Sequence, residues 1–502
     1  MCPPRILDSG VSKKDEETSA GPVGDLPDDE LRTLLHWIAD WAADYRADIG
    51  DRPITPEVAS GEIAKQLVAA GWTDPAPMEQ VLREFQSVVV PGVVHWGHPG
   101  FLGYFGSTSN GPALIGEIAA AALNVSAMTW QTSPAATEME SVTHQWIREL
   151  IGLPEDFFGI TYDTASIATL HALAAARERC GAEIRQRGLL GRPDLPVLRI
   201  YTSDQAHSSV EKAAVVLGIG ERNVVRIATD GEFRLHGESL RHAIEADEQA
   251  GLKPLAVVAT VGTTSTASVD RIREISKVCV EKNVWLHVDA AYGGAMGAIP
   301  EGRWATDGIG SADSVVVNPH KWLFVPLDFS ALYTRHPQLL RSVFALVPEY
   351  LEGDSGNSAF PDYMDYGIQL GRRFRALKAW MVFRSFGKTG ISSRIREHCR
   401  LAQLFASWVR DTKHFVVGAP VTMGVVCFRY APAGVPEAAA DAMNDAIVEK
   451  VNASGHFYLT QTRLRGRVFL RIGLGNVRTT EAHLALAWRA ISDEAARLAS
   501  SR

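Results

Sequence analysis

The 502-residue sequence predicts an α/β protein: a large, mostly parallel sheet domain, preceded by a helical segment and followed by a small α+β domain. Two observations carry this. From about Pro154 onward, short β-rich runs that are apolar throughout alternate with helical stretches, as strands buried on both faces do. After Gly371 the pattern changes to a long helical stretch, then helix, strand, helix, strand, helix.

Taken in order, residues 1–26 are rich in Pro, Gly, Asp and Ser and lack the charged-then-apolar order of a signal peptide, so a flexible tail is expected there. Residues 27–100 open with Leu31, Leu34, Ile38, Trp41 and Tyr45, whose spacings of three and four place them on one helix face, with Asp28 as the expected N-cap. Such a stripe must pack on its own domain or on a partner. The large domain is expected over 101–385, with strands at 197–202, 224–228, 255–260, 284–288, 314–317 and 329–333 and a helix over 271–279. The small domain is expected over 386–502, with strands at 425–429 and 468–472.

A chain of this length holds more than one core. It is 46% hydrophobic and 22% charged with net charge −8, and it has no Lys/Arg run, which argues against nucleic-acid binding. No apolar run is long enough to span a membrane. The five cysteines, Cys2, Cys180, Cys279, Cys399 and Cys427, are dispersed and include no Cys-x-x-Cys. That spacing suits neither a disulfide framework nor a metal site, and we read reduced thiols in a cytoplasmic protein.

In parallel sheets, ligands sit beyond the carboxyl ends of the strands. Four strands end in short polar or small-residue strings: Ser203-Asp204-Gln205-Ala206-His207, Val261-Gly262-Thr263-Thr264, Asp289-Ala290-Ala291-Tyr292-Gly293-Gly294 and Asn318-Pro319-His320-Lys321-Trp322. Singly these are unremarkable: a solvated lysine, a capping aspartate, a structural histidine, a tight turn. Together they fit one cofactor, pyridoxal 5′-phosphate (PLP). It needs an amine to hold it, here Lys321, and a carboxylate to keep its pyridine nitrogen protonated, here Asp289. It also needs a group against the ring, here His207, and a phosphate site. Thr164-Ala165-Ser166 opens a strong helix former and can supply hydroxyl and free N–H donors to an anion.

These strings, with residues 130–138 (Trp-Gln-Thr-Ser-Pro-Ala-Ala-Thr-Glu) and Leu370-Gly371-Arg372-Arg373-Phe374-Arg375, resemble the group II PLP-dependent decarboxylases, specifically the aromatic-L-amino-acid decarboxylases. The resemblance runs from about residue 30 to the C-terminus. It implies the PLP-dependent transferase fold type I and an obligate homodimer with a shared active site, so that the Leu31 stripe packs across the interface. It implies Lys321 as the Schiff-base lysine, Asp289 on the pyridine nitrogen and His207 on the ring near the substrate carboxylate. Ala291 and Thr264 would lie by the ring, and Ala165, Ser166, Asn318 and His320 at the phosphate end. Tyr350, in a Gly- and Ser-rich stretch, aligns with a loop tyrosine that protonates Cα after CO₂ leaves.

Trp96, Tyr104, Phe105 and Ser107 match substrate-pocket positions, with Met128 and Ser126 in a wall supplied by the neighbouring subunit. An aromatic-lined pocket prefers an aromatic side chain. Three positions depart from the family pattern: Gly106 stands for proline, the wall at Ser126 and Met128 lacks bulky Ile and Phe, and Thr164-Ala165-Ser166 lacks preceding glycines. Gly371, where relatives favouring phenolic substrates have serine, is compatible with an indole. The resemblance therefore implies decarboxylation of an aromatic L-amino acid to its arylalkylamine and CO₂, with tryptophan first and phenylalanine, tyrosine and dopa behind it.

The alternatives are an aromatic aldehyde synthase, which in the family carries Phe in place of the loop Tyr, and a non-catalytic binding protein of the same fold. Glutamate decarboxylation is disfavoured by the aromatic pocket. A nicotinamide dehydrogenase is disfavoured because no strand leads into Gly-x-Gly-x-x-Gly.

Overall fold

The computed structural model describes residues 24–106, 109–346 and 359–500. They form two compact units, one of residues 24–52 with Pro56–Val93, the other of Pro53–Thr55 with residues 94–500. The first unit is helical: Asp28–Asp48, Glu62–Ala70 and Met78–Glu84. Its first helix starts one residue earlier than expected, on the predicted cap itself. Pro27 is the N-cap and Asp28 the first helical residue, where, with Asp29 and Glu30, its charge faces the positive end of the helix dipole. The stripe is real within the unit: Trp41 stacks on Tyr45 at 5.2 Å and meets Phe85 edge-on at 4.8 Å.

The second unit carries two sheets. The large one holds β1 (Phe158–Tyr162), β2 (Leu198–Ser203), β3 (Val224–Ile227), β4 (Lys253–Thr260), β5 (Trp285–Asp289), β6 (Ser314–Val317) and β7 (Ser330–Thr334) in the order β1-β7-β6-β5-β4-β2-β3. β7 runs antiparallel to both its neighbours; the other pairs are parallel. The small sheet, β8 (Phe415–Val417), β9 (Val425–Tyr430), β10 (Thr460–Leu464) and β11 (Arg467–Gly473), is antiparallel in the order β10-β11-β9-β8.

The central strands are apolar throughout because each face has its own core. Val257 and Ala259 of β4, Leu286 and Val288 of β5 and Val315 and Val317 of β6 join one cluster. Ala256 and Val258, Trp285, and Val316 join the other. The period of two therefore puts Asp289 on the Trp285 face. The helix Ala165–Arg179 covers that face, with Thr169 Oγ1 at 3.3 Å from His287 Nε2. The helical stretch Arg375–Asp411 connects the large sheet to the small one and is broken at Gly387, whose φ of +62° suits glycine.

Candidate active site

Four sheet strands deliver the strings to one edge. β5 ends on Asp289, which is buried, and Asp289 Oδ1 accepts the Ala291 N–H at 3.0 Å. β6 runs into Asn318 and the short turn Pro319–Trp322, where the Lys321 N–H donates to Asn318 O at 2.9 Å. Asn318 is itself fixed, its N–H donating to Ala291 O at 3.1 Å and its Oδ1 accepting from Ser330 Oγ at 2.6 Å. β2 leads to His207, whose Nδ1 accepts the Ser209 N–H at 3.1 Å. β4 ends on Thr260, in register with Asp289.

A cavity of about 180 Å³ opens between them. Thr164, Ala165 and Ser166, His207, Thr264, Asp289, Ala291, Asn318 and Lys321 all border it, as does Phe105. Thr164 caps the helix Ala165–Arg179, its Oγ1 accepting the Ile167 N–H at 3.4 Å, so the helix N-terminus lies at the end of the cavity that Thr164, Ala165 and Ser166 border. Phe105 lies on Tyr292 at 4.0 Å, which in turn lies on Trp322 at 4.7 Å. The Lys321 Nζ sits 5.0 Å from the Phe105 ring centre.

Burial drives the Lys321 amine below the ordinary lysine range; the Asp289 carboxylate opposes this and the Arg471 guanidinium adds to it. Burial also lowers His207, with Asp289 pulling it up and Lys321 pushing it down. His320 does not border the cavity. It is buried, its Nδ1 accepts the Phe329 N–H at 3.0 Å, and burial takes it down to about 3.

Of the expected substrate residues that are described, Phe105 alone borders this cavity. Tyr104 borders an adjoining groove together with Phe105, Thr264 and Arg471. Trp96 stacks on Tyr104 at 5.4 Å and on Phe101 at 4.6 Å. Met128 is set back, its carbonyl accepting the Met364 N–H at 3.0 Å, and Gly371 is exposed with open space around its Cα. Ser107 and Tyr350 lie outside the described residues.

Two residues absent from the sequence reading belong to the site. Thr260 borders the cavity, and its buried Oγ1 has no hydrogen-bond partner among the described residues. Arg471 of β11 reaches across from the small sheet, with its guanidinium 4.7 Å from the Phe105 ring centre. Nε donates to Ser265 O at 3.1 Å and one Nη to Tyr104 O at 2.8 Å, while Nη2 is buried without a partner among the described residues. The signal for it was one arginine inside the apolar run Val468-Phe469-Leu470-Arg471-Ile472.

An amine, a buried carboxylate, a helix N-terminus with hydroxyls and an imidazole around one cavity fit PLP. The known proteins agree. Residues 62–431 match the pyridoxal-dependent decarboxylase conserved domain. The chain belongs to the PLP-dependent decarboxylase family. Its relatives are of the aromatic-L-amino-acid decarboxylase-like, group II type. The chain is 37% identical over 472 residues to the aromatic-L-amino-acid decarboxylase of Sus scrofa, covering 92% of this chain and 95% of that one. It is 35% identical over 492 residues to the phenylacetaldehyde synthase of Arabidopsis thaliana, covering 96% and 99%. The crystal structure of Oryza sativa TDC with PLP and tryptamine superposes with a TM-score of 0.90 at 36% identity, over 95% of this chain and 99% of that one. This decarboxylase is a PLP-dependent carboxy-lyase of fold type I.

Proposed function

We propose that this aromatic-amino-acid-type decarboxylase takes L-tryptophan as its preferred substrate and releases tryptamine and CO₂, with phenylalanine, tyrosine and dopa as poorer substrates. The observation that carries the site reading is the Lys321 amine and the Asp289 carboxylate in one cavity beside Phe105. The preference for an indole is supported by the likeness to a relative crystallised with tryptamine.

Bound there, PLP supplies the electron sink that lets CO₂ leave. Lys321 would hold it through Nζ, and the lowered proton affinity of that amine favours its nucleophilic form. Asp289 would face the pyridine nitrogen, His207 and Ala291 the ring, and Thr264 its edge. Ala165, Ser166 and Asn318 would hold the phosphate, with His320 behind them bracing the strand after the Lys321 turn. The unpartnered Arg471 Nη2 offers a donor to the substrate carboxylate. Tyr350 would donate the proton to Cα.

A homodimer with a shared site is part of this reading, with Ser126 and Met128 as the wall a neighbour would supply, and it is supported by the stacked, exposed pair Trp96 and Tyr104. A cytoplasmic setting is supported by free thiols at Cys180, Cys279, Cys399 and Cys427. Among the described residues, no helix is long and apolar enough to cross a membrane.

The test is an amino-acid panel with products identified by mass, alongside borohydride reduction of the yellow holoenzyme. Tryptophan should give the highest kcat/KM, tryptamine the product, and the reduced label should map to Lys321. A faster phenolic substrate would overturn the preference, aldehyde in place of amine would turn the reading toward an aldehyde synthase, and a label on Lys212 or Lys378 would overturn the site.

A further inference from the structure

The loop between β4 and the helix Ile272–Glu281 is closed at its neck by a buried carboxylate that the reaction above leaves without a task. Asp270 is 3% exposed. Its Oδ2 accepts the Thr260 N–H at 2.7 Å, its Oδ1 accepts the Leu235 N–H at 2.8 Å, and its own N–H donates to Thr260 O at 3.0 Å. Beyond this neck the loop is cross-braced. Ser268 O accepts the N–H groups of Gly262 and Thr263, both at 3.0 Å, and the Ala267 N–H donates to Thr263 O at 2.8 Å.

The braced loop reaches the site along its length. Thr260 borders the cavity at the neck, Gly262 beyond it and Thr264 at the tip. Ser265 O accepts Arg471 Nε, and Ser265 Oγ meets Thr462 Oγ1 at 2.8 Å, so the tip also fixes the arginine that arrives from the small sheet.

We propose that Asp270 is a positioning residue: by clamping Thr260 and Leu235 it sets the 260–270 loop, and through it the placement of Thr264 and Arg471 against the cavity. This rests on the cavity being the PLP site, which the Lys321 label tests separately.

A carboxylate is what the neck requires. Two buried backbone N–H groups converge on it, and each needs an acceptor. The neutral acid keeps both oxygens but accepts more weakly, and its own O–H then lacks a place in the clamp. Burial pushes Asp270 up to about 7, against the pull of the two N–H groups. Asp204 after β2 and Asp230 after β3 face it as like charges; Asp230 is itself held by Arg234 at 3.1 Å and His236 at 2.8 Å, and Glu274 of the next helix meets the same histidine at 3.7 Å. Asp270 borders a surface cavity together with Glu232, Arg234, Arg271, Arg273, Glu274 and Asp307. The clamp is therefore at full strength above about pH 7 and slackens below it.

Two measurements test this. In the unaltered holoenzyme, amide hydrogen exchange across 260–270, corrected for its intrinsic pH dependence, should quicken between pH 8 and pH 6 while the core strands hold. Asp270→Asn fills the same volume but turns an amide NH₂ toward one of the two donors. The variant should keep its label on Lys321, change the visible circular dichroism of the bound cofactor, lose about 10²-fold in kcat as expected for a small misplacement, and lack the acid limb near pH 7. Equal corrected exchange at pH 6 and pH 8 overturns the proposal. So does an Asp270→Asn enzyme with unchanged kcat and pH profile, or one whose kcat falls only in proportion to lost cofactor. If the variant does not fold, the exchange of the unaltered enzyme decides alone. A label away from Lys321 refutes the site reading, and the exchange result still judges the clamp.

Discussion

Lys321 and Asp289 sit in one buried cavity and need opposite things from it. The amine must give up its proton to react, and burial with the Arg471 charge helps it do so. The proposed role of the carboxylate is to hold a proton on the cofactor ring through its negative charge. Asp289→Asn isolates that charge, because the amide oxygen can still accept the Ala291 N–H. We expect the protein to fold and kcat to fall by about 10²-fold or more, the scale of a removed electrostatic stabiliser. Steady-state rates normalised to bound PLP measure this, and near-normal turnover would sink the assigned role. Tyr350→Phe keeps the ring and removes only the transferable proton. The carbon left behind by CO₂ should then wait longer and meet oxygen, so amine should fall and aldehyde, ammonia and peroxide should rise in a coupled peroxide assay. Amine formed at the ordinary rate would make Tyr350 an anchor and not an acid. Lys321, Asp289 and His207 were legible because each follows a strand, where the topology of parallel sheets puts ligands. Arg471 was not, since its place depends on a second sheet folding against the first; only its isolation in an apolar strand marked it.

At the scale of elements, strands buried on both faces announced themselves. β2 to β7 lie within two residues of the runs 197–202, 224–228, 255–260, 284–288, 314–317 and 329–333. The strands that escaped notice are those with weak signals: β1 contains Gly159, β8 has three residues, and β10 is the polar edge Thr-Gln-Thr-Arg-Leu. The direction of β7 could not be read from its composition either. The helix Ala165–Arg179 shows how a good helix former can hide a liability. Eight of its fifteen residues are buried, among them His171, which packs edge-on to Tyr162 at 4.5 Å and beside Phe344 at 4.5 Å. Among the described residues neither ring nitrogen has a hydrogen-bond partner. Burial takes His171 down to about 3, below the ~6.5 of an unfolded histidine. The unfolded chain therefore binds the extra proton between these values, so this contribution to stability is whole above about pH 6.5 and is lost as pH falls toward 3. His171→Leu should stabilise by about 1–3 kcal/mol, the cost of an unpaired buried polar group, and should flatten the fall in stability between pH 7 and pH 5. His144, His287 and His398, each lowered by burial to about 4, keep part of that slope. Urea unfolding at the two pH values decides it; a less stable variant with the same slope would mean that His171 has a partner in the folded protein.

For the molecule as a whole, the fold class was readable because every level agreed: periodicity, strand polarity and the strings at the strand ends. What a single sequence leaves open is which apolar surface a second copy covers, since a stripe reads alike whether it packs on its own chain or on a neighbour. The structure supplies two candidates. The helix Asp28–Asp48 buries none of its residues, although Leu31 and Leu35 stand 39% and 50% exposed on it. The helix Gly111–Leu123 lies so close to another helix that a Cβ on Gly116 would come within 2.6 Å of Lys378 Cα, yet it leaves Ile115 61%, Ile118 48% and Leu123 58% exposed. Helices draw most of their stability from a packed apolar face, and contiguous apolar surface of this kind marks an interface. If a second copy covers both, the interface should exceed about 2,000 Å², the obligate class. Sedimentation velocity should then show a dimer down to nanomolar protein, and Tm should rise with protein concentration, as linkage to assembly requires. Ile118→Asp would place a charge in the covered face and should yield monomer with little activity, because the wall at Ser126 and Met128 then faces water and not a neighbour's cavity. A fully active monomer, in the unaltered enzyme or in this variant, would show that each chain completes its own site.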